Sequence, residues 1–431
     1  MRKAFVSLCF SSFCLVLFLA SQAAFAEKHR LIVLTDMEAD PDDTQSLVRL
    51  LLYANQIDIE GLVATTSCWL RNEVNPQSIH KVLGAYGKVQ SNLNQHETGF
   101  PSAKNLKKLV KKGLPSYGML AVGDGKDSEG SEWIIQRLQA PDQRPLWISV
   151  WGGVNTLAQA LHKIKTTKSE QEAARLIAKL RVYTISDQDD SGIWIRNNFP
   201  DLFYIVTPGD DYASATWTGI SAVVSGIDNS SIGSAWLAQN IQQNHGPLGA
   251  LYPDVAWGIE GDTPAYLSLI PNGLNSAERP DWGGWGGRYE LYKPDFTLTK
   301  DGGSIVEIAP ETRKIWTNAI DTYTPYIPSK FGRAVTKAQQ TFTGYKETLW
   351  RWREDFQNDF AARMDWTISA YKDVNHPPVP KLNHASNWTF HSGDYVTFNA
   401  SESYDPDGDS LSYLWFYYPE AGSYKKAIEI S

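Results

Sequence analysis

A short apolar run followed at once by a cluster of acids constrains the fold of this chain more than any other feature. The run from Leu31 to Thr35 is typical of a strand that is buried on both faces of a sheet. Residues 44–53 then have the pattern of a helix, and residues 57–66 have the pattern of a second strand. Strand, helix and strand in this order build parallel sheets. We therefore expect an α/β fold, with a mostly parallel sheet and flanking helices.

The alternation of helices and strands continues beyond this first unit. The pattern predicts helices over 75–87, 131–139 and 155–164, and strands over 146–150 and 180–186. A parallel sheet places its ligand site at the carboxyl ends of its strands. Three polar clusters follow predicted strands and are expected to converge at that edge, namely residues 36–43, 151–155 and 187–190.

The chain divides into an export signal, a large domain and a small carboxyl-terminal domain. Residues 1–26 contain two basic residues, a short apolar run and an Ala-Phe-Ala cleavage site, which predicts a periplasmic or secreted protein. Residues 27–373 form the expected α/β domain, and the proline-rich residues 374–380 form a stiff linker. Residues 381–431 alternate like the strands of an immunoglobulin-type β-sandwich. Such a sandwich needs about 100 residues, so this domain is expected to be either unusually small or incomplete, and we favour an incomplete domain.

The composition excludes one class of partner. Forty basic and 48 acidic residues give a net charge of -8, whereas nucleic-acid binding requires clustered Lys and Arg. We therefore expect no nucleic-acid partner.

After the signal no apolar stretch is long enough for a membrane helix, so we expect no membrane insertion. Cleavage of the signal leaves Cys68 as the only cysteine, which predicts that stability comes from a large core or a bound metal. The oligomeric state is left open.

Five carboxylates occur within eight residues directly after the first strand, namely Asp36, Glu38, Asp40, Asp42 and Asp43. Like charges this close repel one another unless water or a cation neutralises them. Calcium suits carboxylate and carbonyl oxygens best, with magnesium second. Alternatively, Asp42 and Asp43 stabilise the amino terminus of the helix while the other acids face solvent. Spacing alone leaves both interpretations open.

The acid loop and four later motifs resemble one family. The order of strand, Asp-x-x-x-Asp-x-Asp-Asp and helix is similar to the calcium loop of inosine–uridine nucleoside hydrolases. The resemblance is closer to a bacterial nucleoside-hydrolase-like group, which carries a C-terminal sandwich domain and has been labelled cellulose-binding, and it covers about residues 29–431. The motifs that carry it are Thr35 to Asp43 with Ser46-Leu47-Val48-Arg49, Trp151-Gly152-Gly153-Val154-Asn155-Thr156-Leu157, Gln188-Asp189-Asp190-Ser191-Gly192-Ile193-Trp194-Ile195, Glu260-Gly261-Asp262-Thr263-Pro264 and Gly283-Gly284-Trp285-Gly286-Gly287-Arg288-Tyr289.

The resemblance implies a calcium site and a general base. The implied calcium ligands are Asp36, Asp42, Asp43, the backbone carbonyl of Val150, and Asp262. Asp36 is also the implied base, which activates a calcium-bound water to cleave an N-ribosidic or related glycosidic bond. An alignment without a gap would put Glu38 in place of the base. We favour Asp36, because it follows the strand directly and is therefore held rigidly.

The expected partner is a small glycoside or another carbohydrate. Candidate substrate contacts are Asn155, Gln188, Asp189, Trp194, Trp285 and Arg288. For Asn155 the alternative is that it caps the helix it begins, and for Gln188 and Asp189 that they lie in a solvated turn. The glycines around Trp285 suit an aromatic platform beside a cationic Arg288, or serve tight backbone geometry alone.

One position departs from the pattern of the family. Purine-preferring nucleoside hydrolases have a His before the late aspartate, which protonates the leaving base, and this chain has Gly261 there. The leaving-group acid is then Glu260 or Asp189, or the leaving group needs none. Two hypotheses follow. The chain is either a calcium-dependent glycoside hydrolase or a carbohydrate-binding protein that has the same fold without turnover.

Overall fold

The computed structural model describes most of the chain after the predicted export signal. The described residues are 27–209, 212–294, 306, 309–328, 335–385, 387–391, 393–424, 426, 428 and 430. The predicted signal, residues 1–26, lies outside them. Among the described helices, none combines the length and the apolar character that crossing a membrane requires.

The secondary structure follows the predicted alternation of strands and helices. The described strands are β1 (His29–Thr35), β2 (Ile57–Ala64), β3 (Val110–Lys112), β4 (Leu146–Val150), β5 (Leu180–Ser186), β6 (Phe203–Thr207), β7 (Tyr289–Tyr292), β8 (Ile315–Asn318), β9 (Asp321–Tyr323), β10 (Tyr326–Pro328), β11 (Val335–Lys337) and β12 (Phe342–Gly344). The described α-helices are α1 (Asp42–Leu51), α2 (Pro76–His96), α3 (Ala103–Lys108), α4 (Glu129–Gln139), α5 (Asn155–Thr167), α6 (Glu170–Ile177), α7 (Ser191–Asn198), α8 (Ser234–Leu237), α9 (Gly246–Gly249), α10 (Pro264–Leu267), α11 (Glu347–Trp350) and α12 (Arg353–Asp365).

Eight strands form one sheet in the order β3-β2-β1-β4-β5-β6-β8-β7. Its neighbouring strands run parallel, except for the antiparallel pair β7 and β8. The chain builds outward from β1 to β3 on one side, and then from β4 to β6 on the other. In open parallel sheets, ligands bind outside the carboxyl ends of the strands where this direction changes. That point lies between β1 and β4, which end at Thr35 and Val150.

The continuous apolar sequence of β1 is explained by burial on both faces of the sheet. Leu31 and Val33 belong to the core that includes residues of α1, α2 and α12, whereas Ile32 and Leu34 belong to the core beneath α4 and α5. All four side chains are fully buried. Helices cover both faces of the sheet, so the predicted α/β class with a mostly parallel sheet is confirmed.

The predicted linker contacts the large domain closely. His376 is buried, and its Nε2 lies 3.0 Å from Nδ1 of His96, at the carboxyl end of α2. On its other side, Nδ1 of His376 lies 2.9 Å from Oδ1 of Asp407. Further along the chain, Phe416 and Tyr418 pack against the core of the large domain. The carboxyl-terminal segment is therefore held against the α/β domain.

The predicted carboxyl-terminal sandwich is not confirmed. Residues 395–398 and 411–417, which alternate like strands in the sequence, are not in strands in the structure. In the described part of this region, the backbones of Val379 and Tyr404 form an isolated antiparallel bridge. Aromatic side chains that would face a second sheet, among them Trp388 and Trp415, remain about half exposed. A sandwich requires two facing sheets, and residues 395–398 and 411–417 form neither of them.

Candidate functional site

The acid loop folds into a compact cluster at the carboxyl end of β1. Asp36 follows the strand and is only 3 % exposed, while Asp43 lies in the first turn of α1 and accepts a hydrogen bond from the hydroxyl of Thr35. Oδ1 of Asp40 accepts a hydrogen bond from the backbone N–H of Asp42 at 3.0 Å. Carboxylate oxygens of Asp40, Asp42 and Asp43 all lie within 4.8 Å of one another.

These acids form one side of a small cavity at the switch point of the sheet. The cavity has a volume of about 50 Å³. Asp262, from the loop before α10, joins the acids of the first loop, and polar and aromatic side chains complete the walls. The lining residues are Asp36, Asp40, Asp42, Asp43, Trp69, Trp151, Ile185, Ser186, Gln188, Tyr212, Trp217 and Asp262.

The acids of the cavity carry an electrostatic cost that the protein does not offset. Burial raises the pKa of Asp36 to about 6, although a hydrogen bond from Ser67 acts in the opposite direction. Burial, followed by repulsion between neighbouring carboxylates, raises the pKa of Asp43 and of Asp262 well above the ordinary value. Oδ2 of Asp262 is buried without a hydrogen-bond partner among the described residues.

The donor set of the cavity fits a hard cation. Its described lining contains five carboxylates and no Lys, Arg or His. Buried carboxylates require a positive partner or must take up protons. Calcium binds to clusters of carboxylate and carbonyl oxygens in flexible arrangements, and magnesium binds to fewer such groups with stricter geometry. The residues present therefore fit calcium, and magnesium less closely.

Two glycines allow the backbone to approach these acids. A Cβ on Gly152, which follows β4 and Trp151, would lie 2.5 Å from Oδ1 of Asp36. A Cβ on Gly261 would lie 2.7 Å from Oδ2 of Asp42 and 3.0 Å from the ring of Trp217. Any side chain at either position would displace an acid of the cluster.

The structure brings four of the proposed metal-binding side chains together, namely Asp36, Asp42, Asp43 and Asp262. The fifth proposed ligand, the carbonyl of Val150, remains a prediction; Val150 ends β4 and pairs with Leu34 of β1. Glu38, the alternative base, is exposed and accepts a hydrogen bond from Ser78. It is not among the residues that line the cavity, so the geometry favours Asp36.

Gln188 lies at the cavity, whereas its neighbour Asp189 does not line it. The side-chain N–H of Gln188 donates to the carbonyl of Trp151, and its Oε1 is buried without a described partner. Asp189 accepts hydrogen bonds from the backbone N–H groups of Ser191 at 2.9 Å and Asn155 at 3.1 Å. Burial raises the pKa of Asp189 to about 6. The carboxyl group of Asp189 thus holds the starts of α5 and α7.

Asn155 neither lines the cavity nor caps its helix. Its side-chain amide donates to the hydroxyl of Thr66 and to the carbonyl of Ser116, both at 2.8 Å. Its Oδ1 accepts a hydrogen bond from Thr65 at 2.8 Å. The predicted substrate contact is corrected to a buried link between the start of α5 and the loop after β2.

Glu260, proposed as a catalytic acid, is not among the cavity residues. It is fully buried, and its Oε2 lies 2.6 Å from Nε of Arg49 in α1. It also accepts hydrogen bonds from Tyr252 at 2.7 Å and from Thr263 at 3.0 Å. These partners occupy its carboxylate oxygens, so Glu260 positions the loop that carries Asp262.

Three further candidates for substrate contact are engaged elsewhere. Trp194 packs against Phe199, with ring centroids 5.9 Å apart, and Trp285 is buried with its ring edge towards Phe356. Arg288 is buried, and its Nε donates to Asp321 at 2.6 Å. None of the three is among the described residues that line the cavity. The glycine-rich loop therefore has a structural role.

Sequence reasoning missed three aromatic residues of the cavity. Trp69 lies in the loop after β2. Parallel sheets place their site residues in such loops, at the carboxyl ends of the strands, so its position in the sequence could have identified it. Tyr212 and Trp217 belong to two 3₁₀ turns, Tyr212–Ser214 and Thr216–Ile220. Nothing local in their sequence distinguishes these two residues from core aromatics.

The sheet order, with an acid cluster at the end of its first strand, defines a nucleoside-hydrolase-like protein. The family described as "Cellulose-binding Sde182, nucleoside hydrolase-like domain" matches residues 30–289, which are more than half of the chain. The family described as "Cellulose-binding protein Sde0182, C-terminal domain" matches residues 395–431. The chain belongs to this family of nucleoside-hydrolase-like proteins.

Two solved structures match this chain to different degrees. A nucleoside hydrolase-related hypothetical protein from Saccharophagus degradans, associated with carbohydrate metabolism, is 36% identical with a TM-score of 0.75. The match covers 93% of this chain and 88% of that one. A plant nucleoside hydrolase is 10% identical with a TM-score of 0.38, and the match covers 78% of this chain and 99% of that one. No curated protein matches the chain.

Proposed function

We propose that this chain is an exported, calcium-dependent glycoside hydrolase of the nucleoside-hydrolase type, which cleaves an N-ribosidic or related glycosidic bond. The observation that carries the proposal is the cluster of buried and half-buried carboxylates at the switch point of a parallel sheet, in which Oδ2 of Asp262 has no hydrogen-bond partner among the described residues. Export, to the periplasm or the medium, rests on the signal-like sequence of residues 1–26.

In this proposal the roles of the chain's residues follow from their positions. The cation is held by the carboxylates of Asp36, Asp40, Asp42, Asp43 and Asp262 together with the carbonyl of Val150. Bound calcium supplies positive charge that makes a nearby water more acidic and orders neighbouring sugar hydroxyls. Asp36 takes the proton of the attacking water, and the surrounding carboxylates stabilise the positive charge that develops on the sugar ring.

A leaving-group acid is not part of the proposal. Glu260 is engaged with Arg49, and Asp189 accepts backbone hydrogen bonds away from the cavity lining. The titratable side chains of the described lining are five aspartates and Tyr212. We therefore expect a substrate whose leaving group departs without strong protonation, or one that is protonated by solvent.

Calorimetric titration and an activity panel test the proposal together. Calcium, and then magnesium, is titrated into the purified, chelator-treated chain and into the Asp262→Asn variant. Nucleosides, nitrophenyl glycosides and soluble oligosaccharides are then incubated with the parent, with and without EDTA, and released reducing sugar is measured. We expect one calcium ion per chain, weaker binding to the variant, and EDTA-sensitive release. Absence of calcium binding by the parent would refute the proposal.

The second candidate is a carbohydrate-binding protein without turnover. It is favoured by the packing around Gly261, where the ring of Trp217 and the carboxylate of Asp42 leave no room for a side chain. The family name of the matching domain points to cellulose binding as well. Calcium binding with no release from any member of the panel, together with retention of the chain on insoluble polysaccharide, would support this candidate over the hydrolase.

A further inference from the structure

Besides Oδ2 of Asp262, three polar atoms of residues that line the cavity are buried without a hydrogen-bond partner among the described residues. They are Oγ of Ser186, Oε1 of Gln188 and the indole Nε1 of Trp217. Ser186 and Gln188 are 2 % and 7 % exposed, and all three residues line the same cavity as the acids. A buried polar atom left without a partner costs free energy, so atoms that line a cavity in this state are candidates for ligand contacts.

The indole of Trp217 has a fixed position in this wall. Its ring lies against the backbone of Gly261 and meets the ring of Tyr212 edge-on, with centroids 5.3 Å apart. The turn that carries it is anchored by a hydrogen bond from the backbone N–H of Thr216 to Asn318 at 3.2 Å. Trp217 therefore forms a rigid aromatic wall directly beside the acid cluster.

The chemistry of this wall matches a sugar ring. A hydroxyl group both donates and accepts hydrogen bonds, so sugar hydroxyls have the chemistry that the Gln188 oxygen, the Ser186 hydroxyl and the indole N–H each lack. The C–H face of a sugar ring packs against an aromatic face by burying apolar surface. A nucleobase also stacks on indole, but the described titratable groups in the lining that would protonate it on departure are carboxyls and a phenol.

We propose that Trp217, Gln188 and Ser186 form a sugar subsite beside the acid cluster, and that the site takes an oligosaccharide in preference to a nucleoside. This proposal rests on the proposed function in placing the scissile sugar at the acids. It goes beyond that function by naming the class of molecule that occupies the remaining part of the cavity.

Equilibrium binding of two probes tests the subsite. Cellobiose and inosine are titrated calorimetrically into the calcium-supplied parent chain and into Trp217→Ala, Trp217→Phe and Ser186→Ala. Trp257→Ala is the matched control, because Trp257 is 93 % exposed and lies outside the cavity lining. Circular dichroism and the calcium affinity of each variant report whether the fold and the acid cluster are intact.

We expect the parent to bind cellobiose more tightly than inosine. Trp217→Ala should weaken cellobiose binding at least about tenfold through the loss of buried aromatic surface, and Trp217→Phe should weaken it less. Ser186→Ala should cost about 2- to 10-fold, as one hydrogen bond does. The control variant should bind as the parent does.

Other outcomes separate this proposal from the proposed function. If the parent binds calcium but prefers inosine, or binds neither probe, the subsite is refuted while the metal site stands. Unchanged cellobiose binding by a folded Trp217→Ala variant also refutes it. If cellobiose binding depends on Trp217 but calcium does not bind, the sugar subsite stands and the calcium-dependent hydrolase fails.

Discussion

Asp36 occupies a position that no other acid of the loop shares, because it follows β1 directly and is fixed by the core beneath it. We expect Asp36→Asn to lower turnover about 10²- to 10⁴-fold, the usual effect of removing a general base, while substrate binding is largely kept. Initial rates and equilibrium binding on the best substrate of the panel measure the two effects. A variant as active as the parent would show that Asp36 is not the base.

The raised pKa of Asp36 contributes to the pH dependence of the metal site. Burial raises this pKa from 3.8 to about 6, so the folded, metal-free protein takes up a proton that the unfolded chain releases. The stability of the metal-free form therefore falls as the pH rises from about 4 through about 6. Calcium needs the ionised carboxylates, so its affinity should rise over the same range.

Calcium titrations at two pH values test this dependence. One carboxyl group with a pKa of about 6 makes calcium binding at least about tenfold weaker at about pH 5 than at about pH 7. The raised pKa values of Asp43 and Asp262 act in the same direction. Thermal unfolding in EDTA should show the opposite trend, with a lower melting temperature at about pH 7. Calcium affinity that stays constant between these values would contradict the assignment of Asp36 to the cluster.

The sequence alone was enough to identify the acids of the site. It could not show whether the long side chains around them contact a ligand or other residues of the protein. Asp36, Asp42 and Asp43 follow a strand and begin a helix, so local sequence places them at the site. Arg288 and Trp285 look equally suitable for a ligand in the sequence. Their partners, Asp321 and Phe356, are distant in the chain, and only tertiary structure shows that those partners already occupy them.

At the scale of elements, the turn after β4 leaves room for the carboxylate of Asp36 because Gly152 has no side chain. A methyl group on Gly152 would overlap Oδ1 of Asp36, so Gly152→Ala should shift this carboxylate and lower turnover by about 10²-fold. Gly84→Ala in α2 is the control, since a Cβ there would meet only the far end of the Lys107 side chain, with Nζ at 3.9 Å. The control should raise stability by up to about 1 kcal/mol and leave turnover unchanged.

A buried ion pair between Arg49 and Glu260 links α1 to the loop before Asp262. Arg49→Met would leave the carboxylate of Glu260 buried without its cation, at a cost of about 3–5 kcal/mol. Denaturant unfolding measures the change in the free energy of unfolding. Arg175→Met, which breaks the exposed pair with Glu172, is the control and should leave unfolding nearly unchanged. Equal effects of both variants would contradict the structural role of Glu260.

Most strands and helices of the first 200 residues follow from the sequence, because their apolar periodicity is regular. The short elements α3, β3, α6 and α7 were not predicted. Strands 146–150 and 180–186 have the predicted bounds, and α2 extends nine residues beyond its predicted end at 87. The region from 263 to 344 was not predictable in this way. Its strands β7 to β12 are three or four residues long, which is too short to show an alternation.

At the scale of the whole molecule, the carboxyl-terminal segment contributes to the stability of the α/β domain. The hydroxyl of Tyr418 donates to Asp321 at 2.5 Å, and its ring lies 4.2 Å from the guanidinium of Arg351. Tyr418→Ala should lower the free energy of unfolding by roughly 2 kcal/mol. Tyr413→Ala, at an exposed position, should change it little. Thermal unfolding measures the melting temperatures of both variants. Equal melting temperatures would show that the carboxyl-terminal segment does not stabilise the α/β domain.

The position of β8 has a consequence for the order in which the protein assembles. In the sheet, β8 lies between β6 and β7, yet in the chain it is made after both of them. A polypeptide that leaves the ribosome or a translocation channel from its amino terminus can pair β1 to β6 as they appear. Its strand β7 must wait without its sheet neighbour until residues 315–318 have also emerged. Arrest of the nascent chain before residue 315 should therefore leave a protease-resistant six-stranded body with a protease-sensitive end.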